Sequence, residues 1–250
     1  MRNTDAIKPQ LIDDPTGRIY YRRLDLFHEA LGTVILLLVV FCMFCAVFWL
    51  STHYAKPIQG SSMQPNINNY AEATGDIAIV SSTARFTYND IIIVDMERSN
   101  NTDSMVQGKL LIKRAIAFGG DSLKLVRDDA TATYHFELKK RGESEFAVLE
   151  ETFAYPMTEA NKANAFFTQI NWTIKPESAS DNSITIPEGY MFFVGDNRDV
   201  SYDCRTFGPV ETSACIGVVE TVLKTDNFWN RLFSVISSIF NIKHTEAIKG

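Results

Sequence analysis

The residues in this sequence best suited to chemistry are a lysine in an apolar run and a serine in a polar loop. Lys113 lies within LLIKRAIA (110–117), where burial would disfavour the ammonium form and lower the pKa by as much as roughly 3–5 units. A neutral amine can accept a proton, and a serine hydroxyl needs such a base before it acts as a nucleophile. Ser62, within GSSMQP (60–65), is the candidate serine.

Four stretches, taken together and in this order, resemble the motifs of type I signal peptidases. They are GSSMQP (60–65), GDIAIV (75–80), LIKRAIAFGGD (111–121) and GDNRDVSYDCRTFG (195–208). None of the four is specific by itself, and their joint order and spacing carry the resemblance. By this resemblance Ser62 is the nucleophile, Lys113 is the general base, and Ser201 orients the lysine amine.

The resemblance implies a membrane-bound serine endopeptidase that cleaves signal peptides from exported preproteins after a small-x-small site such as Ala-x-Ala. Ser62 would attack the scissile carbonyl and form an acyl-enzyme, while Lys113 passes the proton to the leaving amine. The implied partners are preprotein signal peptides and membrane lipid. No metal or organic cofactor is implied.

Other positions in the motifs are expected to support this site. Five residues have a structural role by this interpretation: Met63, Pro65, Asp196, Asp203 and Arg205. Gly60 stands where some members of the family carry a serine that helps to hold the developing oxyanion. The backbone N–H of Ser62 must then do more of that work. Cys204 stands where the family often has serine, and 117–121 departs from the usual Gly-x-Pro-Gly-Asp.

An uncharged run of 21 residues, 30–50, is long enough to form one transmembrane helix. A cleaved secretory signal would be shorter and nearer the terminus, and a buried core helix would keep a polar face. Three arginines precede the run, Arg18, Arg22 and Arg23, whereas only Lys56 follows it closely. The positive-inside rule therefore predicts a cytoplasmic segment at 1–29 and an extracytoplasmic peptidase domain at 51–226.

The peptidase domain is predicted to be mostly β, with antiparallel sheets. Apolar, β-branched stretches with turn residues between them recur at 77–82, 90–96, 109–117, 121–128, 133–140 and 190–196. Residues 141–182 have weaker periodicity and are interpreted as an inserted, variable lobe. Residues 227–250 form an amphipathic C-terminal segment, and packing on the domain or lying at the membrane surface fits its apolar face equally well.

Composition excludes several other classes of protein. A net charge of −6 lacks the basic surface that nucleic-acid binding requires. The four histidines are scattered, without the spacing of metal ligands. Cys204 and Cys215 could pair or could be two free, buried thiols, and their spacing leaves both open.

Two further hypotheses are alternatives to a signal peptidase. A membrane-tethered β domain that binds a partner without catalysis would make Ser62 and Lys113 ordinary loop and strand residues. A Ser/Lys self-cleaving repressor would share the chemistry, but such proteins carry a DNA-binding segment in place of a membrane span. The Ser-x-x-Lys pattern of penicillin-binding enzymes is absent from the sequence.

Overall fold

The computed structural model describes residues 15–69, 74–176, 182–224 and 248–249. The chain forms two compact units, Met1–Ser51 and Thr52–Gly250. The first unit contains helix α1, Pro15–Thr52. Its part from Leu26 to Thr52 has a mean hydropathy of 2.9 and is apolar and long enough to cross a membrane. None of that stretch is buried within the protein. An exposed apolar surface of this size is typical of a region that contacts another protein or a membrane.

In its described residues, the second unit is built mainly from twelve strands. Their bounds are β1 His53–Gln59, β2 Thr74–Ser81, β3 Ile91–Asp95, β4 Leu110–Phe118, β5 Ser122–Asp128, β6 Thr133–Lys139, β7 Ala147–Val148, β8 Ile184–Thr185, β9 Tyr190–Val194, β10 Val210–Glu211, β11 Cys215–Leu223 and β12 Ile248–Lys249. Two short α-helices, α2 Ala160–Thr168 and α3 Cys204–Phe207, accompany them. Single 3₁₀ turns lie at Met96–Arg98 and Thr212–Ala214. The domain is therefore mostly β, as the sequence predicts.

Eight of the strands form a sheet in the order β10-β9-β4-β12-β1-β2-β11-β3. Strand β3 also pairs with β4, so the sheet curls and closes on itself. All of its pairs are antiparallel except those of β12, which runs parallel to both β1 and β4. The other four strands form a smaller antiparallel sheet in the order β7-β6-β5-β8.

Two hydrophobic clusters hold the domain together. The larger one joins both sheets and includes Ile92, Leu123, Phe136 and Phe192. The smaller one includes side chains of the loop that follows β1 and carries Ser62, residues 60–69, called the serine loop below. It has seven fully buried members: Ile58, Met63, Ile67, Ala78, Val80, Ile93 and Ile112. Strand β4 is buried along its whole central part, 111–117, because neighbours cover it on both faces. A lysine in this strand is thereby removed from water.

The six stretches that the sequence predicts as strands correspond to β2, β3, β4, β5, β6 and β9. Strand β1 has no such signal, because HYAKPIQ contains Lys56 and Pro57 within seven residues. The stretch interpreted as an inserted lobe, 141–182, contains β7 and α2 in its described part and packs onto the core with aromatic side chains. Phe166 and Trp172 lie 5.7 Å apart, with Phe166 also 5.9 Å from Phe136 of β6. The predicted amphipathic C-terminal segment, 227–250, lies outside the described residues except for 248–249.

Candidate active site

The structure brings together the serine and the lysine that the sequence singles out. Lys113, in the middle of β4, donates a hydrogen bond from Nζ to Ser62 Oγ over 2.7 Å. Ser62 lies in the loop that follows β1, 51 residues away in sequence. Both side chains are almost completely buried, with exposed fractions of 4% and 2%. This is the distance at which a base can take a hydroxyl proton.

The environment of Lys113 disfavours its charged form. Burial lowers the pKa of the amine from 10.5 to about 8, although the nearby Asp203 and Asp196 carboxylates partly oppose this effect. Among the described residues, no carboxylate lies within ion-pair distance of Lys113. With this pKa, roughly a tenth of the amine is neutral at pH 7 and about half at pH 8, and the neutral form can act as a general base.

The loop that carries Ser62 is tied back to the end of β1. Asn68 Nδ2 donates to the carbonyl oxygens of Ile58 and Gly60. Asn68 and Asp76 also exchange hydrogen bonds, each from its backbone N–H to the side chain of the other. Asp76 belongs to the GDIAIV stretch, so this stretch helps to fix the serine loop. Gly60 has a φ of 96°, a conformation that strains a residue with a side chain.

The 195–208 stretch, called the motif loop below, contains a buried ion pair. Arg205 donates from Nε and Nη2 to the two carboxylate oxygens of Asp203, both over 2.8 Å, and neither side chain is exposed. Burial raises the pKa of Asp203, but the Arg205 charge and hydrogen bonds from its neighbours lower it to about 2. Asp203 also accepts from the Gly195 N–H over 3.0 Å. The pair thus closes the motif loop on itself.

A second buried ion pair joins the motif loop to β4. Arg114, the residue after Lys113, donates from Nε and Nη2 to Asp196, both over 2.7 Å. Asn66 of the serine loop donates to the same carboxylate over 2.7 Å. The Arg114 guanidinium lies 3.9 Å from the centre of the Phe153 ring in the inserted lobe. Asp196 therefore holds three parts of the site in register, which fits its expected structural role.

Ser201 makes no hydrogen bond to Lys113 through its Oγ in this structure. Its Oγ is buried and has no hydrogen-bond partner of normal geometry, although it lies near enough to the Asp203 carboxylate to lower its pKa. A Cβ on Gly195 would come within 2.3 Å of that oxygen and 2.5 Å of the Ser62 carbonyl, so only glycine fits there. The orientation of Lys113 by Ser201 stays a prediction.

The remaining predicted site residues take up structural positions. Met63 is buried in the smaller hydrophobic cluster, and Pro65 is half-buried after a cis peptide bond. Cys204 and Cys215 are both free thiols, which decides between the two possibilities that their spacing left open. Within the described ranges, no group of three His, Cys, Asp or Glu side chains could hold a metal ion.

The inserted lobe contributes contacts that sequence reasoning missed. Asp199 of the motif loop accepts hydrogen bonds from the backbone of Thr158 and Glu159, just before α2. Lys162 of α2 donates to the Ser201 carbonyl over 2.8 Å. Trp172 donates from its indole N–H to the Arg205 carbonyl over 3.0 Å. Among these contacts only that of Asp199 has a sequence signal, because a carboxylate in the motif loop needs hydrogen-bond donors.

Comparison with known proteins places the chain among peptidases. The family model described as "Signal peptidase, peptidase S26" matches residues 29–224. Signal peptidase I of Streptococcus pneumoniae serotype 4 is 25% identical over 203 residues, which cover 76% of this chain and 90% of that protein. Signal peptidase I U of Bacillus subtilis is 25% identical over 173 residues, covering 68% of this chain and 76% of the relative.

The chain is also similar to solved structures of this family. A signal peptidase I from Enterococcus faecalis V583 aligns with a TM-score of 0.29 at 23% identity, covering 54% of this chain and 97% of that one. The family assignment rests on the sequence match, which extends over more than half of the chain.

Proposed function

Because this chain belongs to the signal peptidase family, peptidase S26, we propose that it removes signal peptides from exported preproteins with a Ser62/Lys113 dyad. The observation that carries the proposal is the 2.7 Å hydrogen bond between the buried Lys113 amine and the Ser62 hydroxyl. No histidine is needed, since burial brings the lysine pKa to about 8.

We propose that the reaction proceeds in the following steps. Neutral Lys113 takes the proton from Ser62 Oγ as the oxygen attacks the scissile carbonyl of the preprotein. The backbone N–H of Ser62 stabilises the negative charge that develops on the carbonyl oxygen. The Lys113 ammonium then protonates the leaving amine, and water hydrolyses the ester that remains on Ser62.

The substrate is proposed to bind as an extended strand between β1 and β4. In this gap Lys249 of β12 pairs with both Gln59 and Leu111. Gln59 precedes Gly60 and the serine loop, and Leu111 lies two residues before Lys113. A preprotein segment running parallel to β1 in place of β12 is thereby led to the dyad. Because this pairing uses only the backbone of the substrate, sequence preference must come from the side chains before the cut. For these side chains we propose a small-x-small pattern.

Pairing in this gap can be tested with peptide substrates. Methylating one backbone N–H in the two or three residues before the cut should raise KM, because that N–H can no longer join the sheet. The same methylation about ten residues upstream, in the segment that the sheet does not reach, is the control. Equal KM values for the unmodified peptide, the peptide methylated near the cut and the peptide methylated upstream would rule out this mode of binding.

Membrane attachment through α1 places the enzyme where exported preproteins emerge. The apolar stretch of α1, Leu26–Thr52, is the candidate span. The arginines before it support a cytoplasmic N-terminus and an extracytoplasmic catalytic domain. Protease added outside intact spheroplasts should therefore digest the domain beyond Leu50. Protection of the domain from external protease would overturn this orientation.

The proposed activity is tested by incubating the detergent-solubilised protein with a purified preprotein and mapping the cut by mass spectrometry. We expect one cut after a small-x-small sequence in the wild type and none in Ser62→Ala. Absence of cleavage in both, with a folded protein and several preproteins, would favour the non-catalytic binding domain instead.

A further inference from the structure

Asn197, in the motif loop, holds the peptide unit that contains the nucleophile's N–H. Its side-chain Nδ2 donates to the Ser61 carbonyl over 3.2 Å. Its backbone N–H donates to the Ser62 carbonyl over 2.8 Å. Because the group facing the Ser61 carbonyl must be a donor, the orientation of the Asn197 amide is fixed. Asn197 is 8% exposed, so water competes little for these bonds.

The hydrogen bond to the Ser61 carbonyl sets the direction of the Ser62 N–H. The peptide bond between Ser61 and Ser62 is trans, so its C=O and N–H point in opposite directions. Holding the carbonyl against the motif loop turns the N–H away from that loop. Within the part of the chain that the structure describes, the Ser62 N–H has no hydrogen-bond acceptor.

The Ser62 N–H needs this support because the serine loop supplies few other groups that could stabilise an oxyanion. Gly60 offers no side-chain donor, and its own carbonyl is held by Asn68 on the side of β1. The Ser61 carbonyl also accepts from the Gln64 N–H over 3.1 Å, so Asn197 is one of two donors that fix it. Of these two, only Asn197 comes from outside the serine loop and joins that loop to the motif loop.

We propose that Asn197 is a positioning residue for transition-state stabilisation, because its side chain aims the Ser62 N–H at the developing oxyanion. The inference rests on the proposed peptidase function and deepens it. It gives the Asn of the Gly-Asp-Asn triplet a role in the rate of reaction beyond that of forming a turn. Removing one well-placed oxyanion donor lowers kcat about 10²–10³-fold, and losing one of two supports should cost a part of this, roughly tenfold.

The test uses Asn197→Leu, which nearly preserves the volume and removes the amide, together with Asn197→Ala. Both variants keep the backbone hydrogen bond to Ser62. Asn164→Ala, at an exposed position in α2, is the matched control. For preprotein cleavage, we expect kcat to fall about tenfold in the Asn197 variants, with KM within about twofold and the pH dependence of the rate unchanged. The control should have wild-type kinetics.

A second readout separates oxyanion stabilisation from a general loosening of the loop. In a peptide aldehyde, the C-terminal carboxyl group of an alanine residue is replaced by an aldehyde. Ser62 Oγ adds to the aldehyde carbon, and the aldehyde oxygen then occupies the oxyanion position. The corresponding peptide alcohol binds without forming this adduct. Affinity for the aldehyde should fall by the same factor as kcat in the Asn197 variants, while affinity for the alcohol stays the same.

Three outcomes would overturn the inference. One is wild-type kcat in a folded Asn197→Leu enzyme, and another is an equal loss of affinity for aldehyde and alcohol. The third is a shifted pH dependence, which would indicate that Asn197 acts on Lys113. If Asn197→Ala does not fold, Asn197→Leu still decides the matter. A failure of the proposed peptidase function would look different from a failure of this inference. In that case the wild-type enzyme itself would cleave no preprotein and would not bind the aldehyde.

Discussion

Two adjacent residues in β4, Lys113 and Arg114, meet the cost of burial in opposite ways. Arg114 is paired with the Asp196 carboxylate through two hydrogen bonds and stays charged. Lys113 is even more deeply buried, and within the described part of the chain its side chain hydrogen-bonds only to the neutral Ser62 hydroxyl. Burial accordingly lowers its pKa to about 8.

The difference shows how the protein separates scaffold from chemistry. The ion pairs Arg114–Asp196 and Arg205–Asp203 hold the motif loop in a fixed position, and their partners must remain charged. The lysine must lose its proton to act as a base, so a close carboxylate would harm it. Removing a scaffold charge should therefore reduce stability, whereas removing the lysine charge should reduce activity and increase stability.

The largest effect is expected at the dyad itself. Ser62→Ala and Lys113→Ala should each lower kcat/KM for preprotein cleavage by about 10³-fold or more, and the double variant should be no worse, because the two residues act as one unit. Lys113→Arg should be equally inactive, since a guanidinium cannot accept a proton. Circular dichroism checks the fold. Activity above one tenth of wild type in either alanine variant would contradict the dyad.

The scaffold is tested by Asp203→Asn. Leaving Arg205 buried without its partner should cost about 3–5 kcal/mol of unfolding free energy, measured by urea denaturation at pH 7. The control is Asp129→Asn, whose partner Arg127 is more than half exposed, and we expect a change under about 1 kcal/mol.

The pH dependence of Asp203 has a definite sign. Its pKa is about 2 in the folded protein, below the ordinary value of 3.8, so its contribution is fully present above pH 3.8 and is lost as the pH falls towards 2. The stability difference between wild type and Asp203→Asn should shrink over this range. A constant difference would exclude ion pairing as its cause.

Lys113→Met should have the opposite effect on stability. The amine pKa is lowered from 10.5 to about 8, so the unfolded chain binds more protons between these values and wild-type stability rises with pH there. At pH 7 the inactive Met variant should be more stable than wild type by about 3 kcal/mol, and this gain should vanish towards pH 10.5. Lys175→Met, at an exposed position, should change little. A destabilised Lys113→Met protein at pH 7 would mean that the charge is compensated.

Ser201→Ala gives the smallest predicted effect on catalysis. Its Oγ lacks a partner here and could turn to the Lys113 amine when substrate is bound. Losing that bond should lower kcat roughly two- to tenfold with little change in KM, since a neutral hydrogen bond contributes roughly 0.5–1.5 kcal/mol. An unchanged kcat would remove Ser201 from the catalytic machinery.

Much of the site could be predicted from the sequence because the signals are local. The apolar LLIKRAIA run predicts both a strand and a buried lysine, and Lys113 is 2% exposed. The pairing of Asp203 with Arg205 also lies within three residues, and charge alternation suggests it.

The contacts of the inserted lobe could not be predicted in this way. Lys162 and Trp172 bind carbonyl groups of the motif loop that lie 39 and 33 residues away. Backbone acceptors leave no mark on the sequence, and such pairings depend on how the lobe packs. The proposed role of Asn197 has no separate sequence signal either, because asparagine is already expected in a Gly-Asp-Asn turn.

The most direct test of the account is the pH dependence of kcat/KM for preprotein cleavage, which reports the base of the free enzyme. With Lys113 as the base, kcat/KM should rise with pH through a limb near 8 and level off above it. His135→Ala should leave this limb unchanged, because His135 lies half-buried in β6 beside Glu137. The account would be contradicted if the limb lay at a pH of about 6.5 and disappeared in His135→Ala, while Lys113→Ala kept its activity.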